Sequence, residues 1–117
     1  MNDELTPFLP LSPAALHILL CLAAEPCHGY GIMQEVARQS EGQYRLGPGT
    51  LYDNLQKLMD RELVDEAPCP ASDDDSRRRY YRLTKLGRRV LEADINRLKR
   101  VVREAGSLLR LAHPKRA

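Results

Sequence analysis

The C-terminal part of the chain carries the feature that most limits its fold. Apolar residues there recur at alternating steps of four and three, at Leu91, Ile95, Leu98, Val102, Ala105, Leu109 and Ala112. This is the heptad spacing of helices that pack along a shared seam. With Thr84 as a favourable N-cap, it predicts one helix of roughly 42 Å ending near Ala112. A chain of 117 residues is too small to cover such a seam alone, so we predict a homodimer clasped by this helix.

A second apolar segment supports the same prediction. Ser12 and Pro13 form an N-cap followed by proline in the first turn, and the helix they open runs to about Ala24. It is apolar nearly all round, as is typical of a helix that is buried on several sides. We therefore expect a partner subunit to cover part of this helix. The predicted dimer contacts are Leu16, Leu20, Leu91, Ile95, Leu98, Val102, Ala105 and Leu109.

The formal charge of the chain is +2, but its charges are unevenly distributed. Residues 77–117 hold 14 of the 18 basic side chains and only three of the 16 acidic ones. A basic half of this strength is a candidate surface for a polyanion such as nucleic acid. The same charges would also suit a solvated helix face, and charge alone leaves both interpretations open.

Several classes of protein are disfavoured. No apolar run reaches the ~20 residues of a membrane span, and the acidic N-terminus lacks the basic region of a secretory signal. We predict a cytoplasmic protein that does not enter the membrane. Three cysteines without CxxC spacing do not suggest a metal site, although redox activity of Cys27 or Cys69 stays open. Without a catalytic triad or a phosphate loop, we expect no enzyme, no catalytic residue, no metal and no cofactor.

The middle of the chain predicts further short elements. A second helix begins near Gly29 and ends near Gly42, and a short extended piece follows at residues 43–46. A third helix covers about residues 50–62. Two strands, residues 63–67 and 78–83, enclose a polar loop.

This order defines the predicted fold class: mainly α with a small β-hairpin wing, a winged helix-turn-helix with a long C-terminal helix. The expected organisation is a mobile arm at 1–10, a DNA-binding domain at 11–83, a dimerisation helix at 84–112 and a basic tail at 113–117. In this fold the third helix can enter a major groove while arginines of the wing meet phosphates. The predicted DNA-binding residues are Tyr30, Arg45, Thr50, Tyr52, Asn54, Lys57, Arg77, Arg78 and Arg79.

Within this set, Asn54 is expected to contact a base edge and Lys57 a phosphate or a guanine. Tyr30 and Tyr52 could each donate a hydroxyl to a phosphate or simply pack against the core. His28, at the start of the second helix, is interpreted as a structural turn residue.

Three motifs now allow a comparison with a known family. The stretches His28-Gly29-Tyr30-Gly31-Ile32, Gly49-Thr50-Leu51-Tyr52 and Arg79-Tyr80-Tyr81-Arg82-Leu83-Thr84 resemble PadR-family regulators in their order and spacing. The resemblance covers about residues 11–112. It implies a repressor-type homodimer that binds double-stranded DNA at a partly palindromic operator. It also implies that a small-molecule effector could bind at the dimer interface, as it does in some relatives.

The sequence departs from that family pattern in its acidic residues and its aromatic content. Asp73, Asp74 and Asp75 occupy the wing tip, and since phosphates would repel them we expect the tip to point away from DNA. The absence of tryptophan and the single phenylalanine argue against a large aromatic drug-stacking pocket. The acidic third helix supports an alternative, a winged-helix module for protein–protein interaction. The two functions differ in whether Arg77, Arg78 and Arg79 share a side with the exposed face of the third helix.

Overall fold

A computed structural model describes residues 4–110 as helices packed around a small sheet. A 3-10 turn, Thr6–Phe8, precedes α1 at Pro13–Ala24, β1 at Cys27–His28, α2 at Gly29–Gln39, α3 at Pro48–Asp60, β2 at Val64–Ala67, β3 at Tyr80–Leu83 and α4 at Lys85–Leu109. The predicted fold class is thereby confirmed. The predicted basic tail at 113–117 and Ala112, the last residue of the predicted seam, lie outside the described residues.

The sheet has three antiparallel strands in the order β1-β3-β2, one more than the predicted hairpin. Val64 pairs with Leu83 across the hairpin, and Cys27 pairs with Tyr81 on the other side of β3. The short strand expected at residues 43–46 is therefore wrong, because the third strand lies before α2. At the expected position the chain forms a turn, in which Tyr44 N donates to the Ser40 hydroxyl at 2.9 Å.

The core surrounds α1, whose start is capped as the sequence predicts by Ser12, with Ala15 N donating to its hydroxyl at 3.1 Å. Ile18 and Leu19 of this helix are fully buried, together with Ile32 of α2 and Leu51 of α3. Helix α1 contacts α2, α3, α4 and β3. Much of the cover expected from a partner thus comes from the chain itself, while Leu16 and Leu20 stay only partly buried.

The N-terminal segment differs from the predicted mobile arm at residues 1–10, of which the structure describes residues 4–10. Residues 4–10 do not form a free arm, because they pack against the helices. Leu5 is buried in the core, and the Arg61 guanidinium lies 4.4 Å from the Phe8 ring centroid. Arg61 also donates to the Pro7 carbonyl at 3.1 Å, and Arg89 of α4 pairs with Glu4 at 3.0 Å. The segment therefore links the end of α3 to the start of α4.

Helix α4 consists of two unlike halves. Its first turns pack on α1 and β3, where Leu91 is 5% exposed and Arg88 donates to the Ala23 carbonyl at 2.9 Å. In its second half Val102 is 69% and Leu109 66% exposed, and the neighbouring Val101 and Leu108 are exposed as well. The described helix ends at Leu109, three residues before the predicted end. Within residues 4–110, no helix is long and apolar enough to cross a membrane.

Candidate nucleic-acid interface

The outward face of α3 carries charges that largely pair with each other. Asp53, Gln56, Lys57 and Asp60 are exposed along it. Lys57 Nζ lies 3.2 Å from the Asp53 carboxylate, and Gln56 donates to Asp60 at 2.9 Å. Lys57 thus reaches solvent as predicted, but an acid four residues earlier offsets its charge. Thr50, also predicted, is exposed at the start of this helix.

Asn54 lies at one edge of that face. It is half-buried, and its amide donates to the Thr50 carbonyl at 2.8 Å. Together with Lys57 it lines a groove of about 450 Å³ between α3 and the N-terminal segment that contains Phe8. The structure therefore turns Asn54 away from the wing and engages its donor within its own helix.

The opposite edge of α3 borders an open cleft of about 480 Å³. Tyr52 of α3, Tyr30 of α2 and three consecutive arginines of the wing meet there, along with His28, Gly29 and Tyr81; the arginines are Arg77, Arg78 and Arg79. Five of the nine predicted DNA-binding residues thus share one cleft, which we call the wing cleft. The helices approach closely here, since a methyl group at Gly29 would overlap the Tyr52 hydroxyl.

The three wing arginines are exposed although each has an acidic neighbour. Arg77 lies 3.1 Å from Asp75, Arg78 lies 3.4 Å from Asp73, and Arg79 lies 3.9 Å from Glu66. The Arg77 and Arg79 pairs are exposed on both sides and contribute little free energy, and Arg78, held by the buried Asp73, keeps 47% of its side chain exposed. The arginines are therefore available to phosphates on the same side as Tyr52.

Asp73 organises the wing loop from within. Its side chain is only 6% exposed and accepts hydrogen bonds from the Tyr80 hydroxyl, from Asp75 N at 2.9 Å and from Arg78. The hydrogen bond from Tyr80 is the main cause that lowers the pKa of Asp73, and the same bond raises the pKa of Tyr80 to about 12. Of the three acidic residues that were expected to repel phosphate at the tip, this one is turned into the loop.

Arg45 is not part of the wing cleft. It lies on another surface, near the end of α2, in a shallow depression that also includes Met33, Arg38 and Gly42. After α2 the chain turns through two residues in left-handed backbone conformation, Glu41 with φ of 54° and Gly42 with φ of 80°. The structure thus separates Arg45 from the other predicted arginines.

His28 is a cleft residue that the sequence interpretation missed. It caps α2, with Gly31 N donating to its Nδ1 at 3.1 Å. Its ring meets the Tyr80 ring edge-on at 5.3 Å, and its Nε2 lies 3.5 Å from Arg78 Nη1. The pairing of β1 with β3 brings it to the wing. A signal for this was the motif His28-Gly29-Tyr30 itself, but a strand of two residues is too short to be predicted from the sequence pattern.

The cysteines show no features of a reactive site. Burial raises the pKa of Cys21 to about 12 and is also the main cause that raises the pKa of Cys27 and of Cys69. Higher thiol pKa values leave less of the nucleophilic thiolate at neutral pH. Among residues 4–110, no group of three or more histidine, cysteine or acidic residues is arranged to hold a metal ion.

Known regulators share much of the sequence of this chain. The sequence profile of the transcriptional regulator PadR-like family matches residues 18–93. The transcriptional regulator Rv3488 from Mycobacterium tuberculosis is 40% identical over 90 residues, which cover 76% of this chain and 78% of that protein. These relatives are transcriptional regulators rather than enzymes.

Solved structures show the same fold. A PadR family transcription regulator from Clostridium difficile R20291 matches with a TM-score of 0.71 at 22% identity, over 84% of this chain and 99% of that one. A PadR-like transcriptional regulator from Bacillus cereus matches with a TM-score of 0.71 at 20% identity, over 92% of this chain and 97% of that one. The short helices, the small sheet and the long last helix are thus common to all three chains.

Proposed function

The chain belongs to the PadR-like family of DNA-binding transcriptional regulators, and from this we propose that it represses transcription as a homodimer on a partly palindromic operator. In the proposed complex the two α3 helices enter successive major grooves about 34 Å apart. The wing clefts lie beside them against the phosphate backbone. Because such a regulator must reach chromosomal DNA, we propose that the protein is cytoplasmic.

The wing cleft is the observation that carries the proposal. Arg77, Arg78 and Arg79 line the same opening as Tyr52 from α3 and Tyr30 from α2. A duplex that meets the outward face of α3 would therefore meet cationic side chains at once. Base recognition is assigned to the exposed start of α3, including Thr50, and phosphate attraction to the wing, because three arginines line the cleft whereas the outward face of α3 carries a single lysine, Lys57.

The proposed dimer rests on the second half of α4. Four large apolar side chains stand exposed there, Val101, Val102, Leu108 and Leu109. Exposed apolar groups on one helix half are stabilised when a second copy covers them. The proposed interface includes the predicted seam residues of this half, Val102, Ala105 and Leu109, with Leu16 and Leu20 of α1 at its edge. The chemistry and the existence of an effector at this interface are left to direct binding measurements.

The decisive experiment is selection of genomic fragments by the purified protein, followed by titration of a selected fragment at several salt concentrations. We expect binding that weakens steeply with salt, because basic side chains release counterions from the phosphates. Arg78→Ala should weaken binding to every sequence alike and reduce the salt slope by about one. Arg82→Ala is the matched control, since Arg82 is 51% exposed against 47% for Arg78 but lies outside the wing cleft.

Repression is tested by transcription in vitro from a promoter that contains the selected fragment. Added protein should lower the transcript yield, and Arg78→Ala should do so only at higher concentration. If no fragment is preferred over bulk DNA, the proposed function is wrong. An increase in transcript would retain DNA recognition but reverse the proposed sign of regulation.

One observation favours a second function, docking of another protein. The outward face of α3 is acidic at Asp53 and Asp60, and its one lysine, Lys57, is paired. A basic protein surface would fit this face better than phosphate would. In that case Asp60→Asn should weaken a protein complex, and Arg78→Ala should leave it unchanged.

A further inference from the structure

Two N–H donors lie side by side at the mouth of the wing cleft. His28 Nδ1 accepts a hydrogen bond from Gly31 N at 3.1 Å, so in the neutral ring the proton is on Nε2. That Nε2 lies 3.5 Å from Nη1 of Arg78, whose guanidinium has only donors. The two groups therefore cannot bond to each other, but both can donate to the same oxyanion.

Both donors are held in place before any ligand arrives. The His28 ring is fixed on one side by Gly31 N and meets the Tyr80 ring edge-on at 5.3 Å. The Arg78 guanidinium is held 3.4 Å from Asp73, yet 47% of its side chain remains exposed. Groups that are already oriented lose less conformational freedom on binding.

The surroundings define the chemistry of the ligand. Arg77 and Arg79 line the same cleft and add positive charge. The Asp73 carboxylate is turned into the loop, where the Tyr80 hydroxyl and Asp75 N already donate to it. An oxyanion with several acceptor oxygens fits such a site, and next to α3 of a DNA-binding protein this is a backbone phosphate.

We propose that His28 is a DNA-contacting residue whose Nε2–H and the Arg78 guanidinium donate to oxygens of one backbone phosphate. The proposal rests on the proposed function for its ligand and adds a residue to that interface. Contacts to phosphate carry no sequence information but fix the position of the protein on the duplex. His28 would then set how deeply the start of α3 enters the groove.

The test replaces His28 by asparagine, which keeps a side-chain acceptor for Gly31 N but has no group that reaches the position of Nε2. Asparagine is among the best N-cap residues. On a random-sequence duplex, His28→Asn should weaken binding about tenfold, as expected for loss of a hydrogen bond to a charged group. The salt slope should change little, whereas Arg78→Ala, which removes a full charge, should reduce it by about 0.9.

Two further measurements separate a DNA contact from a structural role. The double variant should lose less affinity than the product of the two single losses, because both donors serve one phosphate. His28→Asn should unfold at the wild-type temperature, whereas His28→Ala, which removes the cap, should unfold at a lower one. Nitrogen-15 spectra of the wild-type imidazole should show a protonated Nε2 whose signal moves when duplex is added, and this measurement does not require a folded variant.

The possible failures are distinct. If His28→Asn binds duplex within twofold of wild type, or if the proton is on Nδ1, the assignment of His28 is wrong and the regulator proposal stands. If wild type prefers no genomic fragment but His28→Asn weakens random-duplex binding as expected, the phosphate contact holds and the operator proposal fails. A wild-type protein that binds no duplex at all overturns both.

Discussion

The two halves of α4 differ in what their apolar side chains contact. Val90 and Leu91 in the first half are buried against the chain's own core, whereas Val102 and Leu109 in the second half are exposed. The heptad spacing is the same in both halves, so spacing alone does not tell which apolar residues serve folding and which serve assembly. One helix thus contains a segment that packs in the chain's own core, followed by an exposed apolar segment to which we assign the proposed dimer contact.

The largest expected effect comes from a substitution in the exposed second half of α4. Val102→Asp should weaken the proposed dimer by about 4 kcal/mol or more, roughly a thousandfold in dissociation constant. The reason is that each of the two copies loses an apolar contact and buries a carboxylate. Sedimentation equilibrium should show the variant as a monomer and the wild type as a dimer at the same concentration.

Ser107→Asp is the matched control, because it adds the same side chain to the same half at an exposed polar position. This control should remain dimeric. A Val102→Asp protein that dimerises as tightly as wild type would show that the exposed apolar side chains do not hold the dimer.

The next largest effect comes from disrupting the packing of the first half of α4 on the strands. In Gly87→Ala the new methyl group would overlap the Leu63 carbonyl oxygen and lie 2.9 Å from Leu83 Cδ1. Helix α4 must then move away from the strands, and we expect unfolding in urea to need about 3 kcal/mol less. Gly49→Ala controls for the change itself, since nothing lies within 4 Å of its Cβ position. Equal stability of the two variants would contradict the close packing of α4 on the sheet.

The N-cap that joins β3 to α4 gives a smaller effect. Thr84 Oγ1 accepts from Gly87 N at 2.9 Å and donates to the Glu62 carbonyl at 2.7 Å. Thr84→Ala removes both bonds and should cost about 1–2 kcal/mol of unfolding free energy. Thr84→Ser keeps the hydroxyl and should unfold close to wild type in the same urea titration. If serine and alanine destabilise equally, the methyl group rather than the hydroxyl is what matters.

The sequence predicted the elements that depend on local chemistry. Ser12 and Thr84 were both expected to cap helices, and both do. Capping requires only a hydroxyl a few residues from the backbone group that it accepts from, so neighbouring residues are sufficient to predict it. The order of the helices and the two strands of the wing was likewise predicted from local patterns of apolar and turn residues.

The errors concern contacts between residues that are distant along the chain. Phe8 and Arg61 are 53 positions apart, and no local pattern in residues 1–10 indicates that they meet. β1 is only two residues long and exists because Cys27 and His28 pair with Tyr81 and Tyr80. The wing cleft depends on that pairing, so the sequence predicted five of its side chains but missed His28.

The smallest expected effect concerns the wing. There the pH dependence of stability tests whether the hydrogen bond from Tyr80 holds the Asp73 carboxylate in place. Because the pKa of Asp73 is lowered in the folded state, its contribution to stability is present above its unfolded pKa and is lost as pH falls through the folded pKa. Tyr80 acts in the opposite sense. Its pKa is raised to about 12, so its contribution is present below about pH 10 and is lost as pH rises toward 12.

Tyr80→Phe removes the hydrogen bond that is the main cause of both shifts. The pKa of Asp73 should rise toward its ordinary value, and the tyrosine absorbance should lose the component that titrates at about pH 12. Carboxyl carbon-13 NMR follows the first change, and an alkaline absorbance titration follows the second. Tyr30→Phe, at an exposed tyrosine outside this hydrogen-bonded loop, should leave Asp73 unchanged. An unshifted Asp73 in Tyr80→Phe would mean that the wing loop is not held by this bond, and Arg78 would then lack the fixed position that the phosphate contact requires.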